Sequence, residues 1–381
     1  MNAAWTLSAV GFGLIAVCYG LARFAFGLFL PQVDAELSLS PAVGGLISGG
    51  SFLGYCIAIV LGAQLTERFG ACAVAIGAAL VAAVGMLGIA WAPSAPWLAV
   101  SVLVAGSSTG LASPPMASAV AAVVAPARQG LANTVINAGT SAGVALSGPV
   151  ALMMGAQWRT AFLLFAGVAL LFAWLAARAV PRGGARQQSA RAGRPPLSGP
   201  LARLIVAALL SGAASTALWT FGSQLVAGRP GWDSGDAAYL WIAIGAAGIA
   251  GAAAGALIAR FGLAWVHWGA LLALAAGILM VGLGPPTAAG ILGGGMLFGA
   301  AYITLTGAYL VWGVQALPGR PASGVMVGFL ALAVGQTAGA PLFGLLLDKL
   351  SAAHAVAAYA SLALLAGLAL LQSQRAQPQA G

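Results

Sequence analysis

Charge is what this chain has least of. Only 6% of its 381 residues are Asp, Glu, Lys or Arg, where soluble domains carry about 25%. A surface built from so few charges would be poorly hydrated, so a soluble globular protein is a poor reading. Acids are the scarcer sign, six against fifteen basic residues. In a soluble protein that excess would suggest a nucleic-acid partner. Here nearly all the arginines sit between apolar runs, and no nucleic-acid partner is expected. The three cysteines, Cys18, Cys56 and Cys72, are odd in number and imply no disulfide framework. His267 and His354 have no His, Cys or acid at ligand spacing. A metal site, a hydrolytic triad and a cofactor are therefore not expected, and neither is enzyme activity.

What the chain has is apolar length, at 61% hydrophobic residues. Twelve apolar runs lie near 8–30, 41–64, 73–92, 97–123, 130–153, 159–178, 201–226, 235–259, 264–283, 288–315, 322–347 and 354–372. Each is long enough to cross roughly 30 Å of hydrocarbon as a helix at about 1.5 Å per residue. They do not alternate polar with apolar, so they are not barrel strands. The expected fold is an all-α membrane protein of twelve transmembrane helices.

Arginine placement orients it. With both termini inside, eleven arginines fall in inner loops or ends, and only Arg159, Arg229 and Lys349 fall outside. Asp34, Glu36, Asp233, Asp236 and Asp348 fall outside as well. This satisfies the positive-inside rule. The first run lacks a basic segment before it and a small-residue cleavage site after it, so a retained span is expected.

The chain also repeats itself at an offset of 192 residues. Leu65, Arg68, Phe69 and Gly70 return as Leu257, Arg260, Phe261 and Gly262, and Gly77-Ala78 returns as Gly269-Ala270. Pro93 returns as Pro285, and Arg128, Gly143 and Pro149 return as Arg320, Gly335 and Pro341. Two copies in one order imply two six-helix bundles related by an internal repeat, with a central site between them. The expected division is 1–178, a cytoplasmic linker at 179–200, and 201–381. The linker is rich in Arg, Gly, Gln and Pro and reads as flexible. Its arginines either attract anionic headgroups or serve topology alone.

The stretch Ala63-Gln64-Leu65-Thr66-Glu67-Arg68-Phe69-Gly70 resembles the major facilitator superfamily signature G-x-L-A-D-R-x-G-R-K between spans two and three. Ala63 stands for Gly, Thr66 for Ala and Glu67 for Asp, and Ala71-Cys72 replaces the basic pair. Gly255 to Gly262 is its second copy, with the acid lost to Ala259. Trp158-Arg159-Thr160-Ala161-Phe162 looks like that family's W-R-x-x-F, and Pro126-Ala127-Arg128-Gln129-Gly130 resembles its loop before span five. The segment from Arg23-Phe24 to Leu30-Pro31, with Leu39-Ser40 and Gly54-Tyr55, resembles a branch of short bacterial permeases within it. The resemblance covers the whole chain. It implies a multi-pass secondary transporter of the bacterial inner membrane, and it does not supply the substrate.

Independently of any family, an acid and an arginine in a short inner loop can tie helix ends together and favour one rocking state. Arg68 could bond exposed C-terminal carbonyls, or simply set topology. Glu67, Arg68, Arg128, Arg260 and Arg320 are the candidate gating residues.

Arg23 is the most telling residue. It lies inside the first apolar run, eight residues before Pro31, or about 12 Å from the expected outer end at helical rise. A charge near the bilayer centre costs at least about 2.5–3.5 kcal/mol. No acid lies in any expected membrane core, and its repeat partner is the neutral Ser215. It is expected either to bind an anion or gate, or to bond helix carbonyls or reach towards Asp34. Polar positions that the repeat does not preserve are further candidates. Asn133, Asn137 and Ser141 form one stripe in span five, and Tyr302, Thr306 and Tyr309 form one face of span ten. Each stripe either lines a cavity or packs helices. Tyr55, Trp219 and Gln336 lie deep in their spans. Gly143 to Pro149 reads as packing and a bend. Trp91, Trp97, Trp158 and Trp232 read as interfacial anchors.

The expected function is alternating-access transport of a small organic or inorganic anion, with proton coupling left open through Asp34, Glu36, Asp233 and Asp236. An exporter of neutral or amphipathic compounds and a non-transporting membrane sensor are the alternatives. Partners are a small-molecule substrate and the lipid bilayer.

Overall fold

Apolar runs of this length satisfy their backbone within lipid by becoming helices, and the described residues do so twelve times. The computed structural model describes residues 3–182 and 197–374; residues 183–196 of the linker and Arg375 lie outside the described residues. In chain order the spans are α1 Ala4–Leu37, α2 Pro41–Phe69, α3 Ala71–Ala90, α4 Ala95–Val123, α5 Pro126–Met154 and α6 Trp158–Ala179. The second set is α7 Gly199–Trp219, α8 Ala237–Phe261, α9 Leu263–Gly282, α10 Ala288–Ala316, α11 Pro321–Lys349 and α12 Ala352–Ala369. Each half is a six-helix bundle.

The repeat is structural. Gly70 and Gly262 end α2 and α8 with φ of 83° and 84°. That backbone region strains any residue with a Cβ, which explains why both copies keep glycine. The carbonyls at the ends of α3 and α9 match too. Arg159 donates to Ala90 O and Ala92 O, both at 2.8 Å. Arg229 donates to Gly282 O at 2.9 Å and to Gly284 O. These are the same two carbonyl positions at the 192-residue offset. The arginines come from different places, one from the start of α6 and one from the loop after α7. Each neutralises the negative end of a helix.

The halves meet along α2 against α11 and α5 against α8. A Cβ at Gly45 would sit 2.4 Å from Ala340 O, and one at Gly148 would sit 2.7 Å from Ala238 O. In repeat terms these are one contact made twice, so the interface has approximate two-fold symmetry. The close approaches lie from mid-depth towards one end. There Asp34 of α1 accepts from Gln224 in the short helix Gly222–Ala227, and Asp348 accepts from the Ala42 amide at 3.0 Å. At the other end Glu67, Arg68, Arg128 and Arg260 are exposed. The molecule is closed at the acidic end and open at the arginine-rich end.

Several boundaries correct the sequence reading. The first span runs seven residues beyond 30, through Pro31, to Leu37. Asp34 and Glu36 therefore belong to a helix, not a loop, and Arg23 lies about 21 Å from its end at helical rise. Glu36 is held by Arg159 at 2.7 Å and by the Trp158 indole at 2.7 Å. Trp158 is accordingly buried in the core rather than anchored at the interface. Residues Ala16–Phe24 of α1 are π-helical, and Ile249–Ala253 of α8 are 3₁₀-helical.

Candidate functional site

The π-helical turns of α1 hold Arg23. Gly20 lets this segment lie on α5, where a Cβ would sit 2.4 Å from the Gly143 backbone. π-turns inside α-helices are frequent at functional sites because they re-aim side chains. Arg23 is 6% exposed and does not reach towards Asp34 or bond a helix carbonyl. Its Nη2 instead donates to Gln336 Oε1 on α11 at 2.7 Å, across the two halves. Gln336 in turn donates from Nε2 to Tyr302 Oη at 3.0 Å and to Ser215 Oγ at 3.3 Å. Arg23 and Ser215 occupy equivalent repeat positions, so one amide touches both.

Four rings surround the guanidinium. Its carbon lies 4.6 Å from the Tyr55 centroid, 4.8 Å from Phe52, 5.1 Å from Phe24 and 5.9 Å from Tyr19. Such rings attract a cation through their quadrupoles, by about 0.5–2 kcal/mol each. Phe24 stacks on Trp219 of the second half, centroids 4.1 Å apart, and Trp219 meets Tyr302 edge-on at 5.2 Å. Two buried N–H groups here lack an acceptor, Nε of Arg23 and Nε1 of Trp219. They come from opposite halves. A buried donor without an acceptor costs about 1–3 kcal/mol.

The structure therefore brings Arg23, Tyr55, Trp219, Tyr302 and Gln336 into one cluster. Tyr309 is not part of it. Seven residues along α10, its hydroxyl bonds Ser211 Oγ at 2.8 Å and His267 Nε2 at 3.2 Å inside the second half. Thr306 turns back onto Ile303 O at 2.7 Å. Tyr302 and Tyr309 thus serve different networks despite sharing a helix face. On α5, Ser141 packs against Gly248 of α8. Asn137 and Asn133, one and two turns further, are exposed and half-buried where the halves part. Phe24, Phe52 and Tyr19 were not among the site residues expected from the sequence. Their only signal was proximity in sequence to Arg23 or Tyr55, which apolar residues share throughout this chain.

The gating candidates sit at the open end. Arg68 and Arg260 stack on the following Phe69 and Phe261, each at 5.2 Å. Among the described residues, Glu67 and Arg68 make no bond across the halves, so the expected tie is not formed in this conformation. Arg128 is exposed and Arg320 half-buried.

A cation at mid-depth between two repeat-related helical halves, closed at one end, is the layout of an alternating-access membrane transporter. The chain belongs to the Major Facilitator Superfamily, whose sequence profile matches residues 12–333. A sequence comparison with curated proteins finds no match. Among solved structures it is similar to a mutant form of the nucleoside transporter NupG, with a TM-score of 0.81 and 14% identity over 97% of this chain and 99% of that one. It is similar to the xylose transporter XylE from E. coli in a partially occluded inward open conformation, with a TM-score of 0.76 and 16% identity over 97% and 99%. A bacterial homologue of the human lysosomal transporter Spinster, inward-facing and occupied, gives 0.74 and 16% over 98% and 96%. These likenesses establish the fold.

Proposed function

We propose that this protein carries a small organic anion across the bacterial inner membrane, with Arg23 binding the anionic group. The observation that carries the reading is the pair of unpartnered donors, Arg23 Nε and Trp219 Nε1, beside a cation that no acid compensates. An oxyanion supplies both missing things, acceptor oxygens and negative charge. The rings of Tyr55, Trp219 and Tyr302 suit an apolar or planar body attached to that group. Residues 1–178 and 201–381 rock about the cluster, joined by the linker at 179–200. The arginine-rich end faces the cytoplasm, so this conformation is inward-open. Glu67, Arg68, Arg128, Arg260 and Arg320 act when that end closes. Asn133 and Asn137 line the path by which substrate reaches the cluster.

The test is uptake and binding with Arg23 variants in proteoliposomes. Arg23→Ala should weaken anion binding about 10- to 100-fold, the worth of a charge-assisted hydrogen bond. Arg23→Lys should recover part of it, since charge returns without the fork. Monodispersity of each variant is established first. Wild-type anion affinity in Arg23→Ala would overturn the assignment.

A second reading is favoured by one bond. Arg23 to Gln336 joins the halves, so Arg23 could gate an exporter of neutral compounds. A competition panel of anions and neutral solutes separates the two: only under the first reading do the anions compete.

A further inference from the structure

The second half carries an apolar groove of about 750 Å³ between α8, α9 and α10, outside the central cluster. Its walls are Leu257 and Phe261 of α8, Trp265 and Gly269 of α9, and Leu297 of α10, with Arg260 at the mouth. No acid lines it. Leu297 is 40% exposed and Trp265 77%. Below its 3₁₀ segment, α8 continues as Ala254–Phe261 with only Ala254 buried. The groove lies beside that segment, and Leu297 and Ala300 of α10 line its floor.

The charge is placed for a headgroup. Arg260 is the penultimate residue of α8, at the arginine-rich end of the bundle. Among the described residues it lies over the ring of Phe261 and its N–H groups bond no acceptor, so they are available. The first turn of α9 begins beside it, and Gly262 provides no side chain to cap those amides. From there the groove follows α9 from Trp265 to Ala273, about 12 Å at helical rise. That is towards the bilayer interior.

We propose that this groove binds an anionic phospholipid, its phosphate on Arg260 and its acyl chain between α8 and α9. A phosphate takes two of the guanidinium's N–H bonds at once. The uncapped helix start adds positive potential of the same sign. The chain covers Leu297 and Trp265.

The probe is short-chain phosphatidylglycerol titrated into the purified, delipidated full-length protein in neutral detergent, with thermal unfolding and intrinsic fluorescence as readouts. Phosphatidylcholine of the same chain length and soluble glycerol phosphate are the controls. Phosphatidylglycerol should raise the unfolding temperature more than either. Arg260→Gln should weaken its binding about tenfold, and Arg260→Lys less. Gly269→Phe places a ring in the groove from a position where a Cβ meets no atom within 4 Å. With an unchanged unfolding temperature in the absence of lipid, it should bind phosphatidylglycerol weakly. Equal shifts from the two lipids would remove the charge requirement, and a full shift from glycerol phosphate alone would remove the chain. Wild-type affinity in both Arg260→Gln and Gly269→Phe would place the lipid elsewhere. Any of these three results overturns the proposal.

Discussion

Arg23 and Gln336 meet at 2.7 Å from opposite halves of the molecule, 313 residues apart in sequence. The partner is neutral, so the bond holds the cation without cancelling its charge. A carboxylate in place of the amide would have cancelled it. The neutral partner leaves the charge available to a ligand, and it joins the halves weakly enough to be broken each cycle.

That relationship predicts what Gln336→Glu does. A buried Glu at this position pairs with Arg23 and competes with any anion for it. Anion affinity should fall at least about tenfold, and the halves should be held together more firmly. Cysteine accessibility at the open end should then stop responding to substrate. Gln336→Leu should behave differently, because it frees Arg23 and leaves Ser215 and Tyr302 without their donor. A Gln336→Glu protein that transports with wild-type affinity and rate would rule out competition for the cation.

The clamp at the closed end should be structural. Arg159 makes an ion pair with Glu36 and caps two carbonyls near the end of α3. Its side chain is 33% exposed and that of Glu36 is 48% exposed, so the ion pair itself contributes about 0–1 kcal/mol. The carbonyl bonds add about 1–2 kcal/mol more. Arg159→Ala should therefore lower the unfolding temperature by about 1–4 °C, Arg229→Ala similarly, and Glu36→Gln less than either. Thermal unfolding in detergent gives the ranking. Glu36→Gln proving as damaging as Arg159→Ala would mean that the ion pair, not the capping, dominates.

Twelve spans, two halves and a deep unpaired cation were legible in the sequence because each depends on local properties. Apolar length selects helices, and the repeated Leu, Arg, Phe and Gly at 65–70 and 257–262 mark a loop whose glycine needs positive φ. The extent of α1 was not legible. Asp34 and Glu36 look like a loop until Gln224 and Arg159 are seen to hold them. Nor does any residue pattern announce the π-helical turns at Ala16–Phe24. Gln336 was one deep polar residue among several; only the fold shows that it touches Arg23, Ser215 and Tyr302 together. Tyr309 misled because spacing along a helix fixes a face, not which network that face meets at each depth.

Topology has a direct check. The linker at 179–200 and both termini are expected in the cytoplasm. In a Cys-free background, cysteine at Ser189 should resist impermeant reagents added to intact cells, and cysteine at the closed-end Ser351 should react. The reverse pattern would invert the orientation and make the present conformation outward-open.

The exposed Glu67 and Arg68 give the last prediction. Among the described residues they make no bond across the halves, so in this conformation the loss of exposed Arg68 should leave the unfolding temperature nearly unchanged. Exposed charges of this kind contribute about 0–1 kcal/mol. If the loop ties the halves when the arginine-rich end closes, Arg68→Ala destabilises only that other state. The effect of a ligand or variant on a two-state equilibrium is its differential interaction with the two states. Arg68→Ala should therefore slow turnover while leaving substrate affinity in the present conformation close to wild type. Arg68→Lys should restore more of the rate than Arg68→Gln, because the charge is retained. The measurement is initial uptake rate against substrate concentration, paired with equilibrium binding in detergent. A large loss of affinity with an unchanged maximal rate would place Arg68 in substrate binding and remove it from the gate.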